Sequence, residues 1–211
     1  MGLIFYDCPP APSPRRARII LAEKNVPYEV VHVDISAGEQ FSEAYRAINP
    51  NCTVPALKLE DGTVLTENAG IAAYLEARFP GPALLGETDV EKGQVASWVA
   101  KVEMEGLLAA AEALRNSSPM MKDRALTGPV GRAQIPELAE RGMARLKQFF
   151  DMLDARLEGR DYLATDSFTN ADIVAAVTVD FARVVKLKAG PEHKNLLRWR
   201  ENLSKRPSMS V

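Results

Sequence analysis

Hydrophobic and polar positions change their period several times along the 211 residues. Residues 2–6 (GLIFY) and 28–35 (YEVVHVDI) are short apolar runs that predict strands, and the Val-rich second run predicts burial on both faces. Between them, prolines at 9, 10, 12 and 14 forbid helix and strand alike and predict a rigid extended loop. A helix is then expected from Ser13-Pro14, with Ser13 as N-cap and Pro14 at the first helical position. Ile19, Ile20 and Leu21 supply its apolar face, and Lys24 and Asn25 end it. Strand, helix and strand make a βαβ unit, which predicts parallel strands. Residues 36–48 read as a loop and a short helix, with Phe41 and Tyr45 one turn apart. Leu57 and Leu59 alternate with Lys58 and Glu60, and Val64 and Leu65 follow Asp61-Gly62, so a hairpin closed by a type I′ turn is expected. Ile71, Tyr74, Leu75 and Phe79 then recur at helical spacing, with Thr66 where an N-cap belongs and Glu67 and Asn68 in the first turn. The predicted order is βαβαββα.

Residues 80–88 (PGPALLGET) are the only clear linker, with two prolines and two glycines between helical segments. Domains are therefore expected over 1–79 and 89–211. Beyond the linker every periodic stretch is helical: 89–114, then 137–159 after a break rich in Pro and Gly, then a helix behind Thr169 and Asp172, then a last helix anchored by Trp199 and Leu203. Thr169 and Asp172 have the spacing of a capping box with Asp replacing Glu. The helix behind them is apolar nearly all round, which predicts the buried core of the second domain. The fold class expected is α/β plus all-α.

Composition narrows the function. With 26 basic and 28 acidic residues, net charge −2 and no basic stripe, nothing marks a nucleic-acid partner. No apolar run approaches the ~18 residues a membrane span needs. The stretch MGLIFYDCPP has no basic leader, so no signal peptide is expected. Cys8 and Cys52 make no disulfide framework; one bond between the two is an alternative, and a reduced cytoplasmic setting is the simpler reading. Neither His32 nor His193 has a metal-ligand neighbour at useful spacing, so no metal site is expected.

The chemistry gathers around Pro55. A proline at a strand entry cannot donate to the ladder, and a cis Val54-Pro55 bond there would leave the Val54 N–H and C=O facing outward for an extended peptide. A helix N-terminus a few residues on suits a carboxylate, and Glu67 suits an ammonium. Thr53, Val54, Pro55, Glu67 and Asn68 thus describe a receptor for a small peptide with an α-amino acid head.

TVPAL followed by DGTVLTENAGIAAYLEARFP resembles the glutathione-binding half of a cytosolic glutathione transferase, and the resemblance runs through FTNADI to NLLRWRENLSKRPS, nearly the whole chain. It implies a thioredoxin-like N-terminal domain, an all-helical C-terminal domain, glutathione as co-substrate, a small electrophilic second substrate and a homodimer. That family places a Tyr, Ser or Cys after the first strand to hold the thiolate; here the Ser or Cys position falls on Ala11, which has no side-chain donor. Some fungal and bacterial members share that departure, and there the role passes to backbone groups, water or the second domain. Ser13 is the nearest hydroxyl, as sulfur donor, as helix cap or as both. By the same analogy Asn116 and Arg115, at the end of the long helix, would overhang the sulfur, with Arg115 and Ala11 toward the second substrate. Gln40 stands where relatives bind the glycine carboxylate of glutathione, or else is a solvated loop amide. Cys8 invites a glutathione-dependent thiol reductase or peroxidase as the alternative, but reads better as a small apolar residue ending the strand. Cys52 reads as structural. A further alternative is a protein that binds glutathione without turnover, which Ala11 makes credible.

Overall fold

The computed structural model describes residues 2–211, and the chain divides into two compact units. The first runs through Pro82 and takes in residues 127–131 and Val211; the second holds 83–126 and 132–210. The expected linker over 80–88 is thus split at Pro82. Leu84 is buried in the second unit, with its carbonyl accepting from the Asn170 N–H at 2.8 Å.

The first unit has the expected order: β1 (Leu3–Asp7), α1 (Pro12–Glu23), β2 (Tyr28–His32), α2 (Glu43–Arg46), β3 (Ala56–Lys58), β4 (Val64–Leu65) and α3 (Asn68–Arg78). The sheet order is β2-β1-β3-β4. β1 and β2 are parallel, with Leu3 opposite Tyr28 and Asp7 opposite His32. β3 runs antiparallel to β1, with Tyr6 opposite Ala56, and β4 antiparallel to β3, with Leu57 opposite Leu65. Phe5, Ile19, Leu21, Leu57, Ile71 and Leu75 are fully buried and form the core between the sheet and the paired helices α1 and α3. Lys24, at the C-cap of α1, reaches the end of α3. Its Nζ pairs with Glu76 at 2.9 Å and donates to the carbonyls of Phe79 and Pro82 at 3.3 and 3.1 Å, a cation at the negative end of a helix.

Four local expectations need correction. β2 is not buried on both faces: it is an outer strand, and Glu29 to His32 are exposed. The N-cap of α1 is Ala11, not Ser13, because Pro12 as well as Pro14 fits a first turn whose N–H groups have no helical partner. The hairpin turn is not type I′. Gly62 N–H returns to Leu59 O and Leu59 N–H pairs with Thr63 O, and of the turn residues only Gly62 has positive φ, at 89°. That is the three-residue loop built on a type I turn with glycine in the left-handed position. The N-cap of α3 is Glu67 rather than Thr66.

The second unit opens with α4 (Asp89–Val102), capped by Thr88 and Glu91 in a reciprocal box. A π-helical stretch, Glu103–Leu107, leads straight into α5 (Leu108–Ser117). Gly106 lies inside that stretch because nothing larger fits: a Cβ there would sit 2.6 Å from Phe149 Cζ and 2.8 Å from Thr178 Cγ2. Arg145 of α6 (Pro136–Arg156) donates to the Met104 carbonyl in the same stretch at 2.6 Å. α7 (Asn170–Phe181) is buried nearly throughout, as its all-round apolar pattern predicts, and α8 (Lys194–Ser204) buries Trp199 and Leu203.

The expected Thr169–Asp172 capping box is present, and Asp172 does more than cap. It is fully buried and accepts from the N–H groups of Leu163 and Thr169, the Thr169 hydroxyl and the Trp199 indole, at 2.8 to 3.2 Å. Burial outweighs those donors and pushes its carboxyl up from 3.8 to about 6. Between those values the native state binds more protons than the unfolded chain, so this group lowers stability as pH rises from about 4 to about 6 and adds no further slope above. Asp172→Asn should therefore be less stable overall yet lose that slope, a change on the order of 1 to 3 kcal/mol. Denaturant unfolding at about pH 4.5 and pH 7.5 checks it, and an undiminished slope would assign the effect elsewhere.

Candidate active site

Strand register decides what stands at each end of the first sheet. Tyr6 opposite Ala56 puts the C-terminal end of β1 beside the N-terminal end of β3. Leu57 opposite Leu65 brings the end of β4 to the same side. Asp7 opposite His32, with Val33 N–H on the Asp7 carbonyl at 2.7 Å, adds the end of β2. The residues that follow or precede those ends are Cys8 to Ser13, Val54-Pro55, Glu67-Asn68 and the loop that leads to Gln40. Carboxyl ends of parallel strands are where open α/β sheets bind ligands.

The Val54-Pro55 peptide is cis, as the proline at the strand entry predicts. The corner before it is braced from beneath. Thr53 O accepts from the Tyr45 hydroxyl at 2.6 Å and from Asn49 Nδ2 at 2.8 Å, and Asn49 Nδ2 also reaches Thr53 Oγ1 at 3.0 Å. Asn49 Oδ1 in turn accepts from the Asn51 N–H at 3.0 Å. Asn49 is completely buried and Tyr45 nearly so; burial pushes the Tyr45 phenol up to about 12, so it remains a donor. Neither residue stands out in the sequence, where Tyr45 reads only as an apolar partner of Phe41. The Asn-Pro at 49–50 marks a turn, the one signal for this brace.

At α1 the first-turn donors are few. Ala11 N–H bonds Cys8 O at 2.9 Å, and Pro12 and Pro14 have no N–H, so Ser13 carries the only remaining N–H of the cap and first turn. The half-buried Ser13 Oγ accepts from Arg16 at 3.4 Å, leaving its own proton to give outward. At α3, Glu67 makes no side-chain cap bond to its own helix, and Asn68 Oδ1 is buried without a partner among the described residues. Gln40 is buried in a 3₁₀ turn, Glu39–Phe41, and its Oε1 likewise has none. A buried carboxamide left unpaired costs about 1–3 kcal/mol, so these two atoms point to a ligand that pairs them.

Asn116 and Arg115 lie in the second unit and are committed there. Asn116 Nδ2 donates to Glu112 O and its Oδ1 accepts from the Ile135 N–H, at 3.0 and 2.9 Å. Arg115 donates to Arg124 O at 2.9 Å. These bonds fix the start of α6 and the loop before it, and they compete with the roles the resemblance implies for both residues. Among the described residues no three His, Cys, Asp or Glu gather as a metal site requires, and no helix is long and apolar enough to cross a membrane.

Cys8 is buried and free, and so is Cys52. Burial pushes the Cys8 thiol up, against donors at Ile35 and Ala11, and Asp7 adds to the rise. A thiol so held is a poor nucleophile. In the native protein at about pH 8, Cys8 should react with a maleimide at least ~10-fold more slowly than free glutathione does. Labelling at the free rate, read by mass spectrometry, would contradict the burial account.

Residues 11–78 match the family described as glutathione S-transferase, N-terminal domain, and residues 111–207 the glutathione S-transferase, C-terminal domain. Glutathione S-transferase 2 of Saccharomyces cerevisiae is 34% identical over 210 residues, 98% of this chain and 88% of that protein. The crystal structure of Gtt2 from the same yeast superposes with a TM-score of 0.88 at 33% identity, covering 98% of each chain. That of a glutathione S-transferase domain-containing protein from Marinobacter aquaeolei gives 0.89 at 31% identity, covering 98% of this chain and 99% of that one.

Proposed function

The chain belongs to the glutathione S-transferase family, and we propose that it binds glutathione at the end of its first sheet and transfers the thiolate to an electrophilic carbon of an apolar second substrate. What carries the proposal is that one end of the sheet collects a cis-Pro corner, two helix starts and two buried carboxamide oxygens without a partner among the described residues. An isolated binding motif would not account for all of these at once. In this reading the Val54 N–H and C=O pair with the cysteinyl residue in β fashion. Pro55 holds the turn, with Thr53 beneath it. Glu67 takes the α-ammonium of the γ-glutamyl head, whose N–H groups can also pair Asn68 Oδ1, while the Asn68 N–H₂ and the start of α3 take its carboxylate. Gln40 offers its N–H₂ to the glycine carboxylate, or its oxygen to an N–H.

The sulfur then lies at the start of α1. A free thiol has a pKa of ~8.5, and each unit of lowering is ~1.4 kcal/mol of preference for the thiolate. Ser13 supplies a hydroxyl and the remaining first-turn N–H, and the helix dipole adds a positive end. Ala11 contributes only a methyl group, a small apolar surface on the side from which the second substrate approaches. Acceleration comes from thiolate stabilisation and from holding the two reactants together. The buried Cys8, with its raised pKa, disfavours the reductase reading.

Glu67→Ala should weaken glutathione binding by about 1 to 3 kcal/mol, the cost of leaving the ligand's ammonium unpaired. Calorimetry reads this directly, and unchanged affinity would reduce Glu67 to helix-end decoration. Conjugation of a chloronitrobenzene by the wild-type protein tests turnover, and binding without conjugation would leave a glutathione-binding protein.

The active form in this proposal is a homodimer in the cytoplasm. Ala73 and Ala77 are exposed on α3 with Ala69 in line, and Met104 and Leu108 are exposed in the second unit. Ala72 is buried in its own core and Glu91 is spent on its cap, so neither belongs to that face. Arg78, Lys101, Glu103 and Glu105 supply the polar rim. An obligate pair would bury roughly 2,000 Å² or more. Light scattering should give twice the 23.1 kDa of one chain, and a single-chain mass independent of concentration would rule the pair out.

A further inference from the structure

Two parts of the proposed glutathione site meet at the Thr53 carbonyl. Gln40 sits in the 3₁₀ turn Glu39–Phe41, and Tyr45 follows in α2 after Ser42, whose Oγ caps that helix on the Tyr45 N–H at 3.1 Å. On its other side the turn is anchored to Asp34, whose carbonyl accepts from the Glu39 N–H at 3.0 Å and whose N–H donates to Glu39 Oε2 at 2.7 Å. α2 is four residues long, and Ser42 to Glu43 and Arg46 are exposed around the buried Tyr45. The Tyr45 ring packs edge-on against Tyr6 of β1, with centroids 6.0 Å apart, and its hydroxyl meets Thr53 O at 2.6 Å. Thr53 O belongs to the residue directly before Val54. The phenol therefore pins the segment that carries Gln40 to the corner that carries Val54.

We infer that Tyr45 is a positioning residue that aligns the Gln40 end of the site, for the glycine carboxylate, with the Val54 corner, for the cysteinyl residue. This rests on the proposed function. Asn49 acts differently. Its carboxamide bonds Thr53 twice and Asn51 once, and its N–H bonds Tyr45 O at 2.8 Å, so it shapes the corner and reaches α2 only through the backbone. With the Tyr45 hydroxyl gone, the corner keeps its Asn49 brace but loses the side-chain bond from α2, so the spacing between the corner and the Gln40 turn is set less tightly. Recognition of the glycine end suffers, and recognition of the γ-glutamylcysteinyl part does not. Burial holds the phenol protonated to about 12, so the link does not weaken across the ordinary pH range.

The test compares two ligands, glutathione and γ-glutamylcysteine, which lacks the glycine, on wild type and Tyr45→Phe. That variant removes one oxygen and keeps the ring that packs on Tyr6. Binding of glutathione should weaken roughly 3- to 10-fold, the range of one lost hydrogen bond, while γ-glutamylcysteine stays within about twofold. In a Gln40→Ala background the same substitution should no longer distinguish the two ligands. Equal losses for both ligands, or the same glutathione loss with Gln40 already removed, would show that Tyr45 only stabilises the fold and would overturn the inference. No loss for either would overturn it as well. If the wild-type protein binds neither ligand, the proposed function itself fails.

Discussion

Antiparallel pairing of β3 with β1 is the constraint on which the first unit depends. Tyr6 opposite Ala56 fixes which end of the sheet carries the Val54-Pro55 corner, and Leu57 opposite Leu65 then fixes where α3 begins. A slip by one residue would turn Leu57, which is fully buried, to the opposite face, so the register is held by the core as much as by the ladder. The site is therefore a by-product of burying Phe5, Leu57, Ile71 and Leu75 correctly. Its polar groups sit on loops and helix starts just beyond the strands, where the backbone has donors and acceptors to spare.

The sequence made the larger features legible because each rests on a periodicity or a special residue. Apolar alternation located the hairpin, helical spacing located α3, and Pro55 marked the cis corner. Thr169 and Asp172 announced a capping box, although not that the same carboxylate would hold Trp199 and Leu163. Misreadings cluster where two residues compete for one role. Pro12 and Pro14 can both open a helix, and the structure uses both, which moved the cap from Ser13 to Ala11. Asp-Gly favours two different turns, and only Gly62 adopts positive φ. The Val-rich run at β2 gave no sign that it would end up at the edge of the sheet, since a strand's position in the sheet is set by pairing with partners far along the chain.

The site residues divide by the same logic. Val54, Pro55 and Glu67 are visible because their residue types are unusual for where they stand. Tyr45 and Asn49 were not, since a buried tyrosine and a loop asparagine have common structural uses, and their role depends on meeting Thr53 in space. Asn116 shows the opposite case. An analogy draws it toward the chemistry, while its carboxamide bonds Glu112 O and the Ile135 N–H at the passage from α5 to α6. In the second unit Gly106 and Gly142 follow from packing alone: a Cβ on Gly142 would meet the Ala109 carbonyl at 2.6 Å. Such close approaches between helices leave no periodic trace.

In the proposed mechanism glutathione is held as its thiolate without a side-chain donor at Ala11, by the Ser13 hydroxyl, the start of α1 and the geometry of the corner. Ultraviolet difference titration of the thiolate in the wild-type complex reads this. The bound thiol should ionise at least one unit below the ~8.5 of a free thiol, with the shift reduced in Ser13→Ala. A bound thiol that titrates at the free value in both proteins would contradict it.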